Sequence, residues 1–287
     1  MIGVFAVFPL LLSETTKKSK KVDSKTKNMA RTGFIAKGTV YGITGILTFM
    51  AAFNMGGQKA GKLQVLEFLD KQSFGNALLV LMGLGLACYA VWRFIQSISD
   101  PENIGDDTKA KAKRAGFFIS GLLYLGLGVL AILRVFRAGG SGASGGSSGS
   151  SAQNSSFLAS ETGLVLIGIA GAGIAIAGIF QFVKAYKNDY KKKFDLSSLS
   201  EQKRRESIEK TAKFGLSARG VILLIIGYFA LQAAISSDPS EIKTTTEAFS
   251  FIQDSSYGAW LMGLVAAGLV AYAIYMFLMA KYRRFKD

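Results

Sequence analysis

Six stretches, near residues 33–53, 75–95, 116–136, 163–183, 215–235 and 258–279, run for about 20 residues each without a single aspartate or glutamate. At 1.5 Å per residue, about 20 residues cross a hydrocarbon core of about 30 Å. A helix in a soluble core would carry a polar face at the helical period, and these stretches do not. A chain in lipid must satisfy its backbone N–H and C=O groups within itself, which leaves helices or closed barrels. The length of each stretch selects helices. The expectation is an all-α polytopic membrane protein with six transmembrane helices.

The net charge of +15 would suit a nucleic-acid binder, but its distribution argues against one. Of 34 Lys and Arg residues, 25 fall in residues 14–31, 99–115, 184–213 and 281–287. Only 5 fall in the alternate loops 55–74, 137–161 and 237–257. Such a bias sets topology: the basic loops stay cytoplasmic, so both termini are expected there. The basic excess then points to anionic lipid headgroups and needs no nucleic acid.

The six stretches are three copies of one hairpin. Arg31, Gly33, Gly38, Tyr41 and Gly45 recur with identical spacing as Arg114, Gly116, Gly121, Tyr124 and Gly128. They recur again as Lys213, Gly215, Gly220, Leu223 and Gly227. The second helices align likewise: Gly75, Gly85, Tyr89, Trp92 and Phe94 with Gly163, Gly173, Ala177, Phe180 and Phe182, and with Gly258, Gly268, Tyr272, Tyr275 and Phe277. Two spans per copy give all copies one orientation, so they are parallel repeats about an axis along the membrane normal, and a pseudo-threefold bundle is expected. The expected organisation is a basic, partly disordered N-terminal segment (1–28) and repeat 1 (29–98). Repeat 2 (110–186) follows with a Gly/Ser loop at 138–156, then a basic cytoplasmic linker (187–212) and repeat 3 (213–284).

This pattern resembles the domain of unknown function 1206 family, bacterial membrane proteins built from three such two-helix repeats. The resemblance spans about residues 29–284. The third copy departs from the motif at Lys213 and Leu223, and the second has Ser120 where the others have Lys37 and Arg219. The resemblance implies the fold and a multi-pass place in the bacterial inner membrane. It carries no activity, cofactor or site.

Gly38 and Gly45 share a helical face, as do Gly121 with Gly128 and Gly220 with Gly227. In lipid, small residues drive helix association by close backbone approach, so these six are expected to pack helices. A narrow conduit along the axis is the functional alternative. Tyr89, Trp92, Phe94, Tyr272, Tyr275 and Phe277 read as an interfacial belt or as packing between repeats. Short helices are expected near residues 63–70 and after a capping box at Thr244 and Glu247. A second box, at Ser198 and Glu201, opens a helix toward the fifth span.

Chemistry is scarce. The absence of histidine removes His-based nucleophilic catalysis and His-ligated metal sites, and one cysteine, Cys88, cannot form an intrachain disulfide. No cofactor and no enzymatic activity is expected. Transporters coupled to protons or sodium usually keep a carboxylate in the membrane, and none lies in the spans. The candidate basic residues are Lys37, Arg219, Arg31, Arg114 and Lys213. For Lys37 the favoured role is lipid-phosphate anchoring by a side chain that snorkels to the headgroups, with a basic inner mouth formed with Arg219 as the alternative. The leading functional expectation is a structural or interaction module with a homo-oligomeric or membrane-protein partner. The alternative is a channel or carrier for a small solute or anion along the pseudo-threefold axis.

Overall fold

The computed structural model describes residues 23–138, 160–187 and 202–283. Most of the N-terminal segment, the Gly/Ser loop, and the first part of the basic linker with its Ser198–Glu201 box lie outside these residues. The described chain forms α1 (Ser24–Ala52), α2 (Lys62–Asp70), α3 (Gly75–Ile98), α4 (Thr108–Ala138) and α5 (Glu161–Tyr186). It continues with α6 (Gln202–Ile235), a 3-10 turn (Pro239–Glu241), α7 (Thr245–Gln253) and α8 (Gly258–Tyr282). Six of these helices, all but α2 and α7, are long and apolar enough to span a membrane.

Capping sets the helix starts. Asp23 Oδ1 accepts the Thr26 N–H at 2.9 Å, Ser160 Oγ accepts the Gly163 N–H at 3.2 Å, and Thr244 and Glu247 form the expected reciprocal box. The first helix therefore begins at Ser24, nine residues before its apolar stretch, so Lys37 sits well inside it. Arg114, at the start of α4, donates to the carbonyls of Ser97 (2.7 Å) and Ile98 (2.9 Å) at the end of α3. A guanidinium there satisfies orphan carbonyls and the negative end of the helix dipole. It also pairs with Asp106 at 3.1 Å.

The closest helix pairs join different repeats. Helix α3 packs on α4, α5 on α6, and α8 on α1, so each repeat's second helix grips the next repeat's first helix and the third closes on the first. The six motif glycines lie in these seams. A Cβ at Gly45 would stand 2.7 Å from the Ala266 carbonyl, one at Gly128 2.9 Å from the Gly83 carbonyl, and one at Gly227 2.7 Å from the Ala175 nitrogen. At the other set the neighbour is a ring: Phe277 for Gly38, Phe94 for Gly121 and Phe182 for Gly220.

Within a hairpin the repeats differ. Gly33 abuts the Tyr89 backbone and Gly85 the Ala36 side chain in repeat 1; Gly215 and Gly268 meet Tyr272 and Ala218 in repeat 3. A Cβ at the equivalent Gly116 or Gly173 of repeat 2 would meet no atom of another helix within 4 Å among the described residues. Helices α4 and α5 are thus splayed, and Phe118, Leu122, Ile169 and Phe180 are exposed on them. The short helices α2 and α7 cover the end of the bundle opposite Ser24 and Tyr282, burying Val65, Leu66, Phe249 and Ile252. Lys59 of the α1–α2 loop ties this cap together by donating to Ser250 Oγ at 3.0 Å.

Candidate functional site: a caged lysine on the bundle axis

Lys37 is 1% exposed. Its ammonium donates to Tyr89 Oη at 2.8 Å and stands 4.6, 5.2, 5.7 and 6.0 Å from the ring centres of Tyr89, Tyr124, Tyr272 and Tyr41. The rings come from four helices and all three repeats. They hold one another edge-on, with Tyr41 on Tyr272 at 4.8 Å and Tyr89 on Tyr124 at 4.7 Å. Aromatic faces attract a desolvated cation by about 2 kcal/mol or more. They cannot neutralise it, however, and no carboxylate among the described residues pairs with Lys37. The residue therefore faces the interior, since its buried ammonium does not reach the headgroups as the anchoring role requires.

More cations share the same rings. Arg219, at the Lys37 position of repeat 3, donates from Nε to Tyr41 Oη and from Nη1 to Tyr272 Oη, each at 3.2 Å. Arg93 donates from Nε to Tyr89 Oη at 2.8 Å, so that one oxygen accepts from Lys37 and Arg93 together. Lys62, at the start of α2, brings its ammonium within 5.4 Å of the Tyr124 ring centre from the capped end. From Arg93 the chain of polar groups runs to the terminal end: Arg93 to Gln96 (3.0 Å), Gln96 to Glu102 (2.7 Å), and Glu102 to Arg283. Arg283 lies over Phe34 and Trp92, about 5 Å from each ring centre, and so closes that end.

A cavity of about 80 Å³ borders this column, lined by Tyr41, Thr44, Lys62, Arg219, Leu223 and Thr245 among others. A second, larger furrow between α1 and α8 is lined by the apolar residues Ile46, Phe49, Met50, Ala267 and Val270.

Of the five candidate basic residues, the structure brings Lys37 and Arg219 together. Arg114 caps α3, while Arg31 and Lys213 are exposed near the terminal end. Tyr89, Trp92, Tyr272 and Tyr275 are all at most 2% exposed, so they pack between helices and form no interfacial belt. Sequence reasoning missed Arg93 and Lys62 as members of the site. A usable signal existed: Lys37 with Tyr41 and Tyr89 with Arg93 are each four residues apart, which stacks both pairs on a helix face. Asp100, by contrast, is spent on its own loop, accepting the N–H groups of Ile104 and Gly105.

Six apolar spans in three cyclically interlocked hairpins, closed around a charged interior, define a multi-pass membrane protein with internal repeats. Comparison with known proteins gives the family. The family described as Domain of Unknown Function (DUF1206) matches residues 32–100, 115–188 and 214–283, one match per repeat, and the chain belongs to it. It is similar to the "Uncharacterized protein YxxB" of Bacillus subtilis (strain 168), at 30% identity over 260 residues, covering 90% of this chain and 91% of that one. No solved structure matches.

Proposed function

We propose that the bundle is a path or carrier for a small solute along its pseudo-threefold axis. One observation carries this reading: the interior is a continuous polar column, from Lys62 through Lys37, Arg219 and Arg93 to Glu102 and Arg283, where a packing module would hold an apolar seam. Buried charges are costly in lipid and usually mark solute pathways. The reading involves no catalysis. It takes the chain as a bacterial inner-membrane protein with both termini cytoplasmic, which the bias of basic loops supports. Glu102 and Arg283 then close the cytoplasmic end. The test is flux from liposomes bearing the full chain. Release of small solutes should exceed that of empty liposomes. Equal rates at high protein loading, with folding verified, overturn the reading.

A second reading, a module that docks another membrane protein, is favoured by the splayed repeat 2, whose motif glycines Gly116 and Gly173 meet nothing among the described residues. A stable partner or homo-oligomer covering α4 and α5 on purification in mild detergent would support it, and a lone monomer would count against it.

A further inference from the structure

We infer that the cavity beside Tyr41 is a binding site for one small inorganic anion, halide to phosphate in size. The inference rests on the axial reading for its purpose, but occupancy and passage are separate measurements and fail separately.

Three independent features support it. First, the lining is cationic: Arg219 and Lys62 reach the cavity, and neither is paired with a carboxylate among the described residues. Lys37 adds its charge from behind the Tyr41 ring. Arg219 spends two of its donors on Tyr41 and Tyr272, which fixes the plane of the guanidinium. A fixed guanidinium fork with donors left over matches an anion. Second, Thr44 is 3% exposed and its hydroxyl has no hydrogen-bond partner among the described residues, although it borders the cavity. Buried hydroxyls are almost always paired, and an occupant of the cavity would pair this one. Third, the cavity arises where the repeat pattern breaks. Repeats 1 and 2 have Tyr41 and Tyr124 at this motif position and repeat 3 has Leu223, which lines the cavity. Replacing a phenol by an isobutyl group removes a ring and a hydroxyl next to Arg219.

Size sets the class. A water needs roughly 10–15 Å³ of such space, so about 80 Å³ holds roughly five or more water-sized atoms. That suits a hydrated halide, nitrate or a phosphate group and is far too small for an acyl chain. The phosphate could belong to free ion or to a lipid headgroup; Lys62 and Thr245, both from the short capping helices, line the cavity and favour the free ion.

The test uses the purified full chain in nonionic detergent, its anionic lipid removed by exchange. Sodium chloride, nitrate, phosphate and gluconate are titrated at constant ionic strength, and the thermal midpoint is read. At least one small anion should raise the midpoint by about 3 °C or more over gluconate, saturating as a single site. Thr44→Val and Lys62→Gln should each weaken the apparent affinity about tenfold. Leu223→Tyr restores the repeat residue and should abolish the shift while keeping the midpoint in gluconate at or above that of the native protein. The inference is overturned if no small anion differs from gluconate. It is equally overturned if Leu223→Tyr responds as the native chain does, or if only an anionic phospholipid raises the midpoint. Anion binding without liposome flux would sink the axial reading and leave the site standing.

Discussion

At the residue scale the question is what Lys37 costs and what it does. A buried ammonium with aromatic neighbours and one hydroxyl partner is held at an energetic loss relative to a well-packed hydrophobe, because its rings compensate desolvation only in part. Lys37→Met keeps the length and puts a sulfur among the same rings, a contact that aromatic edges favour. Tyr89 Oη keeps Arg93 as a donor, so no new orphan is created. The variant should therefore unfold at the same temperature or higher, with about 1 kcal/mol or more gained, while anion affinity falls several-fold. Thermal unfolding in detergent beside the anion titration checks both. A large loss of stability would instead mark the lysine as structural. The sequence placed Lys37 on a repeat position with two roles open, an outward anchor and an inward partner of Arg219, and its burial fits the inward one. The span could be located from composition, but side-chain direction in lipid has no polar face to betray it, and the apolar stretch understated how far α1 extends below Lys37.

At the scale of elements the glycines separate into two kinds, and sequence alone treats them as one. Gly128 and Gly83 face each other across the α3–α4 seam, each with a Cβ position 2.9 Å from the other's carbonyl oxygen. A Cβ at Gly126, two residues away on α4, would meet nothing within 4 Å among the described residues. Gly126→Ala should stabilise, by about 0.5–1 kcal/mol, because alanine restricts the unfolded chain and nothing has to move. Gly128→Ala presses a methyl group against backbone and should cost about 1–3 kcal/mol. Opposite shifts in the thermal midpoint are the expected result, and equal shifts would mean that the seam is looser than described. The six motif glycines were legible because their spacing repeats three times. Their partners were not: a hairpin motif suggests that its own two helices pair, whereas Gly45, Gly128 and Gly227 each abut a helix of another repeat. Nothing in the local pattern encodes that choice, which depends on the ring closing.

At the scale of the molecule, that closure makes a prediction about how the chain can be divided. Repeat 2 is the weak link, since α4 and α5 are splayed and its residues at the axial positions are the small Ser120 and Ala177, where repeats 1 and 3 present Lys37, Tyr89, Arg219 and Tyr272. The site is thus assembled across the α1–α8 seam, with Tyr124 the contribution of repeat 2. A break between Gly149 and Ser150, in the stretch of sequence between α4 and α5, leaves α1 to α4 on one fragment and α5 to α8 on the other. Each fragment keeps one inter-repeat pair intact, α3 with α4 and α5 with α6, and the α1–α8 seam remains to unite them. The two fragments, made together with a tag on one, should copurify at equal amounts and show the anion response of the intact chain. Gly45→Leu on the first fragment puts a branched side chain where even a Cβ stands 2.7 Å from the Ala266 carbonyl, so the pair should fall apart. Gly126→Leu, facing open space, should leave the pair together and serves as the control. Fragments that purify separately without any substitution would show that the hairpins, and not the seams between them, are the units of stability, and the cyclic account of this fold would have to be given up.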